Sequence, residues 1–237
     1  AAPEAAKPAE SPATLPAPRV KMTTSLGEIV LELDAEKAPI TVLNFLEYAD
    51  SGFYNGTIFH RVMKDFMIQG GGYTPDMDEK DSKRPPIRNE WRNGLKNTRG
   101  TIAMARLGGQ ADSATAQFFI NVVDNDGLDK PRDGAAYAVF GKVVEGMEVV
   151  DAIRNTEVIR HPKYPSPDAV TPKEPVVIQS VTLLTPFDRE VLKSKVTAAE
   201  EAEKRAKEEA EKAKVKLLED YLKKAEAEHG KTFTQTA

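Results

Sequence analysis

Two short stretches, some fifty residues apart, leave this chain few architectures to choose from. The first reads Phe59-His60-Arg61-Val62-Met63-Lys64-Asp65-Phe66-Met67-Ile68-Gln69-Gly70-Gly71, the second Gln117-Phe118-Phe119-Ile120-Asn121-Val122. On a strand, successive side chains point to opposite faces. That parity puts Phe59 and Arg61 on one face, with Ile58, His60 and Val62 on the other. In the second stretch Gln117 and Phe119 share a face, opposite Phe118 and Ile120. Each strand then carries one apolar face for a core and one mixed face, where a fixed cation or amide sits beside an aromatic ring. A mixed face is unfavourable unless exposed or partnered, and it suits a shallow apolar pocket with a few polar anchors. His60, on the core face by this parity, reads as structural.

Along the chain, residues 20–24 and 28–33 form a hairpin around Ser25-Leu26-Gly27. Pro39 opens a helix at a position that tolerates proline. Its stripe is Val42, Phe45, Leu46 and Ala49, and Gly52 follows its end. Residues 73–99 are polar and rich in turn formers, which predicts a long surface excursion; Trp91 lies within it. Short apolar runs recur at residues 101–105, 118–123, 137–144 and 176–184, and residues 147–153 offer a second amphipathic cap. Many short strands with two helices predict a mainly β protein, a closed antiparallel barrel capped by those helices.

The two opening stretches, as FHRV-x3-FMIQGG and SATAQFFINV, stand in order with Asn44-Phe45, Gly52-Phe53-Tyr54, Gly100-Thr101-Ile102-Ala103-Met104-Ala105 and Val139-Phe140-Gly141-Lys142-Val143-Val144-Glu145-Gly146-Met147. Together they resemble the cyclophilin family of peptidyl-prolyl cis-trans isomerases, in its bacterial branch, over residues 20–185. The resemblance implies a closed eight-stranded antiparallel barrel plugged at each end by a helix, and catalysis of X-Pro bond rotation without cofactor or metal. Such a catalyst must bind the twisted amide, with its basic nitrogen, better than the planar one. A guanidinium stays protonated for that task, and Arg61 takes the role. By resemblance Phe66, Met67, Phe119 and Leu128 form the proline socket, and Gln69 and Gln117 hold the substrate backbone and Arg61. Ala105 and Arg106 line the adjoining edge, Arg106 standing where the family commonly has Asn. Catalytic roles fall to Arg61, Phe66 and Gln69. Where many eukaryotic members carry a pocket Trp this chain has Gly127, and where they carry His it has Tyr137. Weak cyclosporin binding is therefore expected.

The 237 residues are 40% hydrophobic and 30% charged, which implies a charged segment outside a core. A net charge of -4 gives no general case for nucleic acid binding, and no apolar run is long enough to span a membrane. There is no cysteine, which excludes disulfides and thiol catalysis. His161 and His229 show no ligand spacing, so no metal is expected. Gly70-Gly71-Gly72 lacks the lysine of a phosphate loop. Residues 1–19 hold five prolines and read as a disordered Ala/Pro-rich tether. Their opening Ala1-Ala2-Pro3 suits a mature exported, periplasmic protein whose signal peptide has been removed; a trimmed cytoplasmic protein is the alternative.

The isomerase domain is expected over residues 20–186, a charged helical extension over 187–230 and a tail over 231–237. Residues 188–231 hold twelve acidic and twelve basic residues. Glu200/Lys204, Glu201/Arg205, Glu208/Lys212, Glu219/Lys223 and Asp220/Lys224 are i,i+4 pairs with the acid first, an order that supports an exposed helix. Its apolar seam is mostly alanine, with a stickier patch at Leu217, Leu218, Tyr221 and Leu222. Three functions follow from these features. One is an enzyme acting on proline-containing peptides and unfolded proteins. Another is a binding module for proline segments. The third is a chaperone part whose helix meets clients or a second copy of the chain.

Overall fold

The computed structural model describes residues 17–229. They fall into two units, one ending at Leu192 and one beginning at Lys193. The expected tether lies outside the described residues as far as Pro16, and the expected tail lies outside them entirely.

The strands of the first unit are β1 (Arg19–Thr24), β2 (Gly27–Leu33), β3 (Thr57–Met63), β4 (Met67–Tyr73), β5 (Thr101–Met104), β6 (Phe118–Asn121), β7 (Val139–Glu145), β8 (Val158–Ile159), β9 (Thr171–Pro172) and β10 (Val177–Leu183). Eight of them close a barrel in the order β1-β10-β3-β4-β6-β5-β7-β2, and β8 pairs separately with β9. Every neighbouring pair is antiparallel. Helices α1 (Pro39–Asp50) and α2 (Met147–Arg154) bury one face each in the core. The predicted barrel with two helical caps is the fold.

Aromatic rings carry the centre of the core. Phe45 of α1 meets Tyr54, Phe118 and Phe140 with ring centroids 5.2, 5.8 and 5.3 Å apart, in the tilted and edge-on arrangements that ring quadrupoles favour. The Tyr54 hydroxyl, buried among them, donates to the Ala116 carbonyl at 2.9 Å. At the start of α1, Ala38 supplies no side-chain cap. The cap comes from the polar excursion instead. Glu90 accepts from the Ile40 and Thr41 backbone N–H groups (3.2 and 2.8 Å) and from the Thr41 hydroxyl (2.7 Å). Burial pushes the Glu90 carboxyl up, and these bonds pull it partway back.

One strand departs from simple alternation. Between Phe59 and Arg61 the register slips, Phe59 pairing with Gly70 and Arg61 with Gln69, so His60 is an extra residue on β3. Phe59 and Val62 therefore both enter the barrel core, while Arg61 faces out. The expected sharing of a face by Phe59 and Arg61 is thus corrected. His60 is fully buried, as expected, but against Tyr73 and Tyr164 (ring centroids 4.5 and 5.5 Å) rather than in the core. Bulges re-aim side chains in this way, and strand parity cannot foresee them.

The core also claims the first turn of α3 (Arg189–His229). Leu192 is fully buried within it, and Arg189 Nη2 pairs with Asp50 Oδ1 at 2.6 Å. In the second unit α3 continues as one helix to His229, with Val215, Leu217, Leu218, Tyr221 and Leu222 all exposed.

Candidate active site

A second, smaller apolar cluster lies outside the barrel. Met67 of β4, Phe119 of β6, Ala103 of β5 and Val139 of β7 are its buried members. They belong to the outward set of strands whose inward set, Ile68, Phe118, Ile120, Ile102 and Phe140, fills the core. Phe66, Ala105, Leu128 and Tyr137 complete it from the strand ends and loops. The result is a cavity of about 120 Å³ lined by Arg61, Phe66, Met67, Gln69, Ala105, Arg106, Phe119, Leu128 and Tyr137. These are sequence-predicted site residues. Gln117, the tenth, stands one step beyond and lines the adjoining hollow with Gln69 and Glu79.

The polar members form a row. Arg61 Nη1 reaches Gln69 Oε1 at 3.5 Å, Gln69 Nε2 donates to Gln117 Oε1 at 3.0 Å, and Gln117 Nε2 reaches Glu79 Oε1 at 3.4 Å. The Gln117 side chain lies flat across Gly72, where any Cβ would stand 2.4 Å from it. That close approach explains a glycine in the triplet without any phosphate. Arg61 has no carboxylate partner among the described residues, and its contact with Gln69 is long. A half-buried guanidinium with N–H groups to spare therefore faces an apolar cavity.

Arg106 behaves differently. Its side chain is almost wholly buried and donates to Asp133 Oδ1 (2.6 Å) and Oδ2 (3.2 Å), and to the carbonyls of Ala135 (2.6 Å) and Ala136 (3.3 Å). It also stacks over the Tyr137 ring at 4.7 Å. Asp133 holds the guanidinium more firmly charged, and Arg106 in turn holds the Asp133 carboxyl well below the usual carboxylate range. Arg106 is thus the clamp of the pocket's edge. Tyr137 meets Phe119 edge-on at 5.6 Å. Gly127 sits on the short 3-10 turn Asp126–Asp129 that also presents Leu128.

Two neighbours of the pocket, Tyr164 and Lys163, carried no sequence signal. Tyr164, on the loop between β8 and β9, stacks on His60 and Tyr73; burial pushes its phenol up while Arg61 pulls it back. Lys163 fastens that loop to Asp78 at 3.0 Å and to the Asp76 carbonyl at 2.9 Å. Burial and the Arg61 charge lower the His60 pKa to about 3, a weak Ile58 backbone contribution acting the other way. Neither His60 nitrogen makes a hydrogen bond of normal geometry. A larger hollow of about 480 Å³ lies elsewhere, along Glu32, Asp34, Lys37 and Lys142. Charged side chains of both signs line it beside Leu33, Leu95 and Val139.

An antiparallel barrel plugged by two helices, with a cavity lined by apolar side chains on its outer wall, is the architecture of the cyclophilin class of prolyl isomerases. The profile described as cyclophilin type peptidyl-prolyl cis-trans isomerase/CLD matches residues 19–183, and the chain belongs to that family. Peptidyl-prolyl cis-trans isomerase A of Dickeya dadantii is 53% identical over 165 residues, covering 70% of this chain and 84% of that protein. Peptidyl-prolyl cis-trans isomerase B of Escherichia coli is 54% identical over 168 residues, covering 69% of this chain and 98% of that one. The crystal structure of a Cryptosporidium parvum cyclophilin type isomerase, solved in the presence of the dipeptide Ala-Pro, superposes with a TM-score of 0.59 at 27% identity. It covers 71% of this chain and 99% of its own. The chain is a peptidyl-prolyl cis-trans isomerase.

Proposed function

We propose that this enzyme turns X-Pro bonds by seating the proline ring in the cavity of Phe66, Met67, Phe119 and Leu128 and donating from Arg61 to the prolyl nitrogen. The barrier to rotation, about 18–20 kcal/mol, is the loss of amide resonance. Once the bond twists, the nitrogen lone pair is localised and accepts a hydrogen bond that the planar amide refuses. Donation there stabilises the transition state alone, which is what raises kcat. Gln69 and Gln117 hold Arg61 and the peptide backbone, and Ala105, Arg106 and Tyr137 bound the site. The observation that carries this reading is Arg61, half-buried beside an apolar cavity with no carboxylate to claim it among the described residues. The substrates are proline-containing peptides and unfolded chains, consistent with the Ala-Pro dipeptide in whose presence the Cryptosporidium parvum isomerase was crystallised.

Arg61→Ala is the test. An isomerisation assay on an Ala-Pro peptide should show kcat/KM falling about 10²-fold, the usual effect of deleting one transition-state donor, with the circular dichroism spectrum unchanged. Full activity would remove the arginine from the mechanism.

A second role belongs to the helix past Leu192. Its exposed Leu217, Leu218, Tyr221 and Leu222 form an apolar patch, which favours contact with an unfolded client or a second copy. Assistance to exported polypeptides is part of the same reading, and cell fractionation checks it.

A further inference from the structure

Three asparagine side chains run in a row behind the walls of the cavity, and no step above uses them. Asn97 and Asn121 are fully buried and Asn125 is half-buried. Each amide nitrogen carries two hydrogens, and all six are engaged. Asn125 Nδ2 donates to the Phe66 carbonyl at 2.8 Å and to Asn121 Oδ1 at 2.7 Å. Asn121 Nδ2 donates to Asn97 Oδ1 at 3.1 Å and to Thr101 Oγ1 at 2.9 Å. Asn97 Nδ2 donates to Asp129 Oδ1 at 2.9 Å and to the Tyr137 carbonyl at 3.3 Å.

The direction of the row follows from its ends. The Phe66 and Tyr137 carbonyls can only accept, so the amide nitrogens of Asn125 and Asn97 must face them. Asn97 Oδ1 then points at Asn121, which must donate to it and offer its own oxygen to Asn125. One arrangement satisfies every group.

What the row supports is the part of the pocket that lies outside the strands. Met67 and Phe119 sit in the ladder of β4 and β6, which fixes them. Phe66, Leu128 and Tyr137 lie outside the strands. Phe66 donates its N–H to the Met63 carbonyl at 3.0 Å, and its own carbonyl accepts from the Val122 N–H at 3.2 Å and from Asn125. Leu128 donates its N–H to the Asn125 carbonyl at 2.8 Å, and Tyr137 is held by Asn97 and by the Leu128 carbonyl at 3.1 Å. The Asn125 N–H also donates to the Asn97 carbonyl at 2.8 Å.

We propose that Asn97, Asn121 and Asn125 are positioning residues that set the spacing of these three walls, and through it the affinity for the proline ring. This rests on the socket reading above. The ring is gripped equally in the planar and the twisted state, so loosening its walls removes uniform binding, which raises KM and leaves kcat alone. Loss of the Arg61 donor does the reverse.

Asn125→Asp keeps the shape of the side chain and removes both donors, turning a carboxylate toward the Phe66 carbonyl. With an Ala-Pro peptide, KM should rise about tenfold while kcat stays within about twofold, and Asn125→Ala should follow it. An unchanged KM in a folded variant, or a fall in kcat at constant KM, overturns the proposal. If both variants fail to fold, the wild-type protein decides by nuclear magnetic resonance. The Asn125 side-chain amide signals should shift as an Ala-Pro dipeptide saturates the protein, and unmoved signals overturn the proposal too. Arg61→Ala in the same assay keeps the two ideas apart. Full activity there sinks the arginine reading, while the KM of the Asn125 variants still decides the role of the row.

Discussion

In the barrel Phe45, Phe118 and Phe140 expose no surface at all, whereas in the helix past Leu192 the residues Leu217, Tyr221 and Leu218 keep 72, 68 and 59% of theirs. The two regions have equally regular backbones and opposite sources of order. Barrel strands are short, four to seven residues, and hold together through partners distant in sequence, such as Val20 with Leu183. The helix draws on local terms: alanine-rich propensity and acid-first ion pairs of about 0.2–0.5 kcal/mol each. A region built on long-range burial can hold a donor and a socket in fixed geometry. One built on local terms presents a surface.

The sharpest break in that comparison comes from truncating one apolar side chain in each. Phe45→Ala should destabilise the barrel by about 3–5 kcal/mol, because the ring is enclosed and its cavity cannot collapse fully. Leu218→Ala should stay within about 0.5 kcal/mol, as exposed substitutions do. Urea unfolding followed by circular dichroism measures both.

His60 gives the next largest effect, through pH. Its pKa is about 3 in the folded barrel, and an unfolded histidine titrates near 6.5. As pH falls below about 6.5 the unfolded chain takes up a proton that the folded one refuses. The stability from this group is therefore complete above that value and is lost progressively toward pH 3. At pH 4.5 the loss is on the order of 3 kcal/mol. The charged or titratable neighbours are Arg61, Tyr73 and Tyr164, none of which changes charge in this window. His60→Phe keeps a ring against Tyr73 and should flatten the stability profile between pH 4.5 and 7. An unchanged slope would rule His60 out as the source, since Asp133 and Asp151, both held low, lose their contribution only below about pH 4.

Legibility divides along the same line. Gln117 and Phe119 beside Phe118 and Ile120 follow simple parity, so the floor of the pocket could be read from β6 alone. The β3 bulge could not, since a single extra residue at His60 reverses the parity of everything before it. Nor could the supports from loops. Glu90 caps a helix fifty residues upstream, Tyr164 crosses from the far end of the chain, and Asn97 answers Asn125 from a loop with no period of its own. Residue type at Arg106 was visible, but its use as a buried clamp depended on where Asp133 and Ala135 would lie. The exposed helix was legible because its terms are local, whereas the burial of Leu192 and the Arg189–Asp50 pair, which depend on the barrel, were not.

A smaller effect is expected at Gly127. The resemblance that placed an indole there in eukaryotic relatives implies weak cyclosporin binding for this chain. A Cβ at Gly127 meets only Arg132 Nη2, at 3.1 Å, the far end of a flexible side chain that can swing aside. Gly127→Trp should therefore fold and tighten cyclosporin about two- to tenfold, the range that one aromatic contact contributes. Isothermal titration calorimetry reads the change, and equal affinities would show that residue 127 does not border the drug.

The smallest effect of all is expected from removing the helix, provided the cut respects the first unit. Leu192 lies in the barrel core and Arg189 pairs with Asp50, so a chain ending at Leu192 keeps its anchor and one ending at Phe187 does not. Truncation after Leu192 should leave kcat/KM on an Ala-Pro peptide within about twofold, because a short peptide needs only the socket and Arg61. Cutting after Phe187 strips a buried leucine from the core, which costs about 2–5 kcal/mol by analogy with Leu→Ala. The shorter chain should melt lower yet turn over peptide normally once folded. Sedimentation and the refolding of a proline-limited unfolded protein should tell the Leu192 truncation from the full chain, since both read the surface around Leu217 and Tyr221. If that truncation loses peptide turnover, the helix belongs to the catalytic unit and the contrast between the two regions fails.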